Sequence, residues 1–199
     1  MAEGYIQITE GAGKKAHTFQ RVIGANTVED EVMLLGEPYL PGYVVGFNGI
    51  SVGTSSDHVF QLMAGSSLKV RIRRIWVLQN ALASSAGRVE FTIWRLSTAG
   101  TGGSSITPRP LETTDSVAGA TAETLPSSKG TESTFLHRFT LPMYAAFPTA
   151  NDPWEWGQLP NQKPITIPAG TSNGVALKVL TGITSATVSG YVEFDESSH

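Results

Sequence analysis

The segment SLKVRIRRIWVLQ, Ser67–Gln79, sets Lys69, Arg71, Arg73 and Arg74 among Leu68, Val70, Ile72, Ile75 and Trp76. Leu68, Val70 and Ile72 share one face of an extended chain, and Lys69, Arg71 and Arg73 share the other. The alternation then loses step, because Arg74 falls on the apolar side while Ile75 and Val77 fall on the polar side. A β-bulge near Arg73-Arg74, or a strand whose second half is buried on both faces, accounts for the change. Either way the segment reads as a core strand with one charged face, and Arg74 is expected to mark a bulge or an ion pair at an interface.

The basic cluster invites a nucleic-acid reading that the rest of the chain opposes. The 199 residues carry a formal net charge of -3, whereas domains that hold phosphate backbones usually carry a strong basic excess. The chain has no cysteine, which removes disulfides, thiol nucleophiles and Cys-based zinc sites together. No run approaches the eighteen or so apolar residues of a membrane span, and the N-terminus lacks a signal-peptide pattern. Synthesis in the cytoplasm as a soluble protein is therefore expected, with no nucleic-acid or membrane partner.

Period-two alternation recurs outward from residues 67–79, and no segment sustains a helical period. In ATVSGYVEF, residues 186–194, Ala186, Val188, Gly190, Val192 and Phe194 line one face. Further strands are predicted over 17–23, 31–35, 43–52, 58–63, 88–96, 134–141, 164–167 and 174–180, separated by turn signals such as Asn48-Gly49 and residues 168–174. With 21 Gly and 11 Pro, the pattern predicts an all-β, antiparallel sandwich or jelly roll. If Arg88–Leu96 pairs with the basic strand, Glu90 is the expected partner for one of its arginines.

The domain reading places an N-terminal arm or accessory strands at 1–55 and the sandwich at 56–199. Residues 97–133 form a long Gly/Ala/Ser/Thr/Pro insertion, expected to be functional, mobile or tied down by a neighbour. Residues 144–162 read as an aromatic connection, with Trp154 and Trp156 on one side and Glu155 opposite. Those two rings either cap the sandwich's own core, meet another subunit or offer a carbohydrate platform. Trp154, Trp156, Arg74 and Arg109 are the candidate interface residues.

Catalytic motifs are weak. Gly49-Ile50-Ser51-Val52-Gly53 has the spacing of a nucleophile elbow but is followed by residues that read as turn and strand, not helix. His17, His58, His137 and His199 share no metal-ligand spacing, and the glycine-rich residues 99–103 lack the Lys-Ser/Thr ending of a phosphate loop. No catalytic residue, metal or cofactor is expected.

The segments LMAGSSLKVRIRRI (62–75), WRLSTAGTGGSSITPRPLETTDSVAGATAETLPSSKGTE (94–132) and PWEWGQLPNQKPITIPAGTSNGVALKV (153–179) resemble a family of tailed-bacteriophage structural proteins. Some members resemble capsid decoration, or cement, proteins. The resemblance runs from about residue 11 onward and transfers no functional residues. It implies a jelly-roll fold, a place in the virion, the major capsid protein as partner and assembly as a homotrimer. A tail or baseplate component and a carbohydrate- or receptor-binding module are the alternatives.

Overall fold

The computed structural model describes residues 18–23, 26–31, 40–53, 57–146, 152–159 and 162–197, and every regular element among them is a strand. The chain divides into two compact units, Met1–Tyr39 and Leu40–His199. In the first, β1 (Thr18–Ile23) and β2 (Asn26–Glu31) form an antiparallel hairpin that pairs Thr18 with Glu31 and Ile23 with Asn26. The expected strand at 31–35 lies outside the described residues, apart from Glu31 at the end of β2, and so do His17 and His199.

The second unit is a sandwich of two antiparallel sheets. Its strands are β3 (Gly42–Ser51), β4 (His58–Met63), β5 (Lys69–Ala81), β6 (Gly87–Leu96), β7 (Ser104–Ile106), β8 (Arg109–Pro110), β9 (Thr121–Thr124), β10 (Glu132–Met143), β11 (Trp154–Gly157), β12 (Ile165–Ile167), β13 (Gly174–Thr181) and β14 (Thr187–Ser197). One sheet runs β11-β5-β14-β3-β8, with β12 also on β5, and the other runs β10-β6-β13-β4-β9-β7. Residues 42–51, assigned on sequence to the segment before residue 55, belong to this unit: Tyr43, Val45 and Phe47 alternate into the core while β3 pairs with β14. β5 and β6 lie in different sheets, so Glu90 finds its cation on β10 instead, with Arg138 Nη2 2.8 Å away.

The predicted bulge sits on β5. Glu193 of β14 pairs with Arg74 and Phe194 pairs with Ile72, leaving Arg73 as the extra residue. Val70 and Ile72 face the core before it, and Ile75 and Val77 face the core after it. One inserted residue thus restores burial to a sequence that had lost its phase.

The edge strand breaks at the same point, for β11 ends with Gly157 opposite Arg74 and β12 begins with Ile165 opposite Ile72. Between them the Gln158 amide donates to the Arg73 carbonyl at 2.9 Å. Asp195, nearly buried on β14, is clamped from the same outer face by Arg71 and Arg73.

Asn48-Gly49, predicted as a turn, lies inside β3. Val188 pairs with Ile50 and Gly190 with Phe47, so β3 carries an extra residue where Gly49 has φ of 65°. A left-handed glycine serves a bulge as well as a turn, which is why the dipeptide alone does not distinguish them.

The 97–133 insertion is ordered against the sandwich. It contributes β7 and β9 to one sheet and β8 to the other, and its base is zipped by Thr101–Ser128 backbone bonds of 2.8 and 3.0 Å and by Ser97 N to Thr131 O at 2.9 Å. Gln61, buried on β4, forms a reciprocal pair with the Gly100 peptide, donating to its carbonyl and accepting from its amide at 2.9 Å each. A Cβ at Gly100 would come within 2.7 Å of the Ser128 carbonyl, so glycine permits this close approach. All six residues of β4 are buried, with the core on one side and polar contacts to the insertion on the other.

Gln61→Leu should leave the Gly100 peptide unpaired beneath the insertion and lower stability by about 1–3 kcal/mol. Hydrogen exchange should rise across 97–101 and 128–131 before it rises in β5 and β14. Uniform exchange across the molecule would contradict this.

Candidate interaction surface

Because the bulge reverses the phase of β5, Trp76 faces away from the core. Its ring stacks on Tyr191 of β14, with centroids 5.4 Å apart and planes at 22°. The Arg74 guanidinium lies 5.7 Å from the centre of the Tyr191 ring, inside cation–π range, and Arg74 Nη2 donates to Glu155 Oε2 at 2.9 Å. That hydrogen bond is the main reason the arginine's pKa is raised. Gly46, opposite Tyr191 on β3, adds no side chain to cover the ring. The result is an outward shelf of two aromatics, a held arginine and a carboxylate, the composition of interface anchors.

The cross-strand row through Arg74 continues to Glu193 on β14, Val44 on β3 and Arg109 on β8. Arg74 and exposed Arg109 are thus joined by a single register row, with Arg109 on the sheet's last strand.

Trp154 and Trp156 are turned the other way. Opposite core-facing Val77 and Ile75, they are partly buried against the hydrophobic core, while Glu155 between them is exposed. Trp154 stacks on Phe139 with centroids 3.5 Å apart and planes at 6°, and Phe139 stacks on Phe91 at 5.0 Å. This run of rings joins edge strand β11 of one sheet to edge strand β10 of the other. On this sheet the outward aromatic pair is therefore Trp76–Tyr191, which the sequence signalled only through the phase change at Arg73-Arg74.

A second polar centre lies on the outer side of the other sheet. His58, fully buried, contacts Glu132 Oε1 through Nε2 at 3.0 Å, and Lys178 Nζ reaches the same carboxylate at 2.8 Å. Burial lowers the His58 pKa despite the opposing pull of Glu132, and among the described residues His58 Nδ1 has no hydrogen-bond partner. Burial alone would raise Glu132, but hydrogen bonds from Lys178 and His58 outweigh it and hold the carboxyl below its ordinary value. The trio fastens the start of β10 to β4 and β13. Elsewhere, Ser51 closes β3, its Oγ accepting the Gly53 amide at 3.4 Å, and no helix follows among the described residues.

The chain matches no family model, no curated protein and no solved structure.

Two predictions follow from these geometries. Trp154→Ala should cost about 3 kcal/mol in urea unfolding by removing a ring from the inter-sheet stack, whereas Trp76→Ala should change stability far less. Equal losses would remove the distinction between inward and outward pairs. For His58, a folded-state pKa below the ordinary imidazole value of 6.5 means that the unfolded chain binds the proton more readily. Stability should therefore fall as pH drops from about 6.5 toward the lowered value, and His58→Gln should flatten the pH dependence of the melting temperature between about pH 7 and about pH 5. Parallel curves for the two proteins would contradict the assignment.

Proposed function

We propose that the chain is a non-enzymatic virion structural protein of a tailed bacteriophage, a decoration protein that binds the assembled head as a trimer and strengthens joints between capsomers. The observation that carries the reading is the outward Trp76–Tyr191–Arg74–Glu155 shelf, an aromatic and arginine surface beside the β5 bulge. The major capsid protein is the proposed occupant of that surface. Binding only the assembled shell would stabilise the shell by mass action.

The strand order supports a jelly-roll reading of the sandwich. With β11 and β12 counted as one interrupted strand, β3, β14, β5 and that strand face β4, β13, β6 and β10, so first and last strands pair and the chain crosses between sheets at every step except β6 to β10, which pair within one sheet. Jelly rolls serve viral shells and lectins alike, so the fold supports the reading without choosing the partner. The carbohydrate alternative lacks its expected platform, because Trp154 and Trp156 are packed against the core.

Quantitative gels of purified particles should find the protein at capsomer-scale copy number. A few copies per particle would favour a tail or baseplate component, and absence from particles would end the proposal. Trp76→Ala and Tyr191→Ala, checked for folding by circular dichroism, should bind undecorated heads at least tenfold more weakly than the unmodified protein.

A further inference from the structure

Most strand cations on this molecule meet a carboxylate. Arg71 and Arg73 share Asp195, Arg74 takes Glu155, Arg138 takes Glu90, and Lys178 takes Glu132. Lys69, Arg88, Arg95 and Arg109 have no carboxylate within ion-pair distance among the described residues, and of these four Lys69 and Arg95 line the same cleft. That cleft, about 500 Å³, is formed by the start of β5, the end of β6, Ser133 of β10, Thr166 of β12 and the Pro168–Gly174 side of the β12–β13 connection.

The nearby acids are committed elsewhere. Asp195 holds two arginines, and Glu196, which precedes Lys69's strand partner Ser197, accepts the Gly119 and Ala120 amides at 3.0 and 2.7 Å. Glu132, paired with Leu96 at the cleft's rim, is held by His58 and Lys178. An uncompensated pair of cations in a chain of net charge -3 is a local reversal of sign.

We propose that this cleft is an oxyanion-binding site, taking a small ligand that carries a phosphate, sulfate or carboxylate group. Arg95 is pre-positioned for it. One donor, Nη1, is spent on the Thr166 carbonyl at 2.6 Å, which holds the guanidinium in place and leaves the rest of its planar fork for an anion. Lys69 supplies a mobile point charge from the opposite sheet.

Hydroxyls of Ser97, Ser133 and Thr166 complete the lining. They now donate to backbone carbonyls at 3.4, 3.2 and 3.3 Å, at or beyond the long end of hydrogen-bond range, so turning a proton toward a bound oxyanion gives up little. The volume falls within the roughly 300–1,000 Å³ typical of small-ligand pockets. The site lies apart from the Trp76–Tyr191 shelf and does not depend on the virion reading.

The test is thermal unfolding of the intact protein titrated with inorganic phosphate, sulfate or citrate, each against sodium chloride at matched ionic strength. At least one oxyanion should raise the midpoint saturably where chloride does not. Lys69→Gln should weaken the apparent affinity at least tenfold, Lys69→Arg should preserve it, and Lys163→Gln, at an exposed lysine outside the cleft, should leave it unchanged. No saturable response to any of the three anions, an undiminished response in Lys69→Gln, or an equal loss in Lys163→Gln would overturn the proposal.

Discussion

The pairing of β5 with β14 constrains the whole sandwich. These strands run side by side from Thr187 opposite Ala81 to Ser197 opposite Lys69, and both halves of β5 must bury apolar side chains on the same side. The sequence cannot satisfy that requirement in regular register, because apolar residues change parity between Ile72 and Ile75. Arg73, bulged opposite the Glu193–Phe194 step, resolves the conflict. Its consequences reach sideways: the edge strand divides into β11 and β12, Asp195 acquires two arginines, and Trp76 is delivered to the outer face beside Tyr191.

A different logic holds the second sheet. β4 and β13 are covered on their outer side by a segment with few large apolar residues, so its attachment relies on hydrogen bonds to buried polar side chains. Gln61 engages the Gly100 peptide; on the other sheet Gln79 of β5 does the same for Tyr144, just past β10, donating to its carbonyl and accepting from its amide at 2.8 Å each. A primary amide matches a peptide group donor for acceptor, so an irregular segment can lie on a buried surface without orphaned polar atoms. The His58–Glu132–Lys178 contact adds charge to the same junction, and the lowered His58 pKa is the reason this junction should weaken in acid.

Much of this architecture was legible because burial imposes period two. β4 was read at its observed limits, 58–63, and β5, β6, β10, β13 and β14 within a few residues, since each alternates or is wholly apolar. The bulge at Arg73-Arg74 was legible as well, as a break in parity. The strands β7, β8 and β9 were not, because Ser, Thr, Gly and Ala carry no hydrophobic signal and their pairing is set by partners distant in sequence. At the candidate surface, Arg74 was found from its position on the wrong side of the alternation. Trp76 was missed because the parity change was not carried two residues further, and Trp154 and Trp156 drew attention by composition although their register turns them inward.

The functional reading and the fold meet at that parity change, since an unbulged β5 would bury Trp76 and expose Ile75 and Val77. The natural absence of cysteine allows a direct measurement by single substitutions at Ile72, Arg74, Ile75, Trp76 and Val77, followed by thiol labelling under native conditions. The account predicts rapid labelling at 74 and 76 and strong protection at 72, 75 and 77. Rapid labelling at 75 and 77 with protection at 74 and 76 would contradict it.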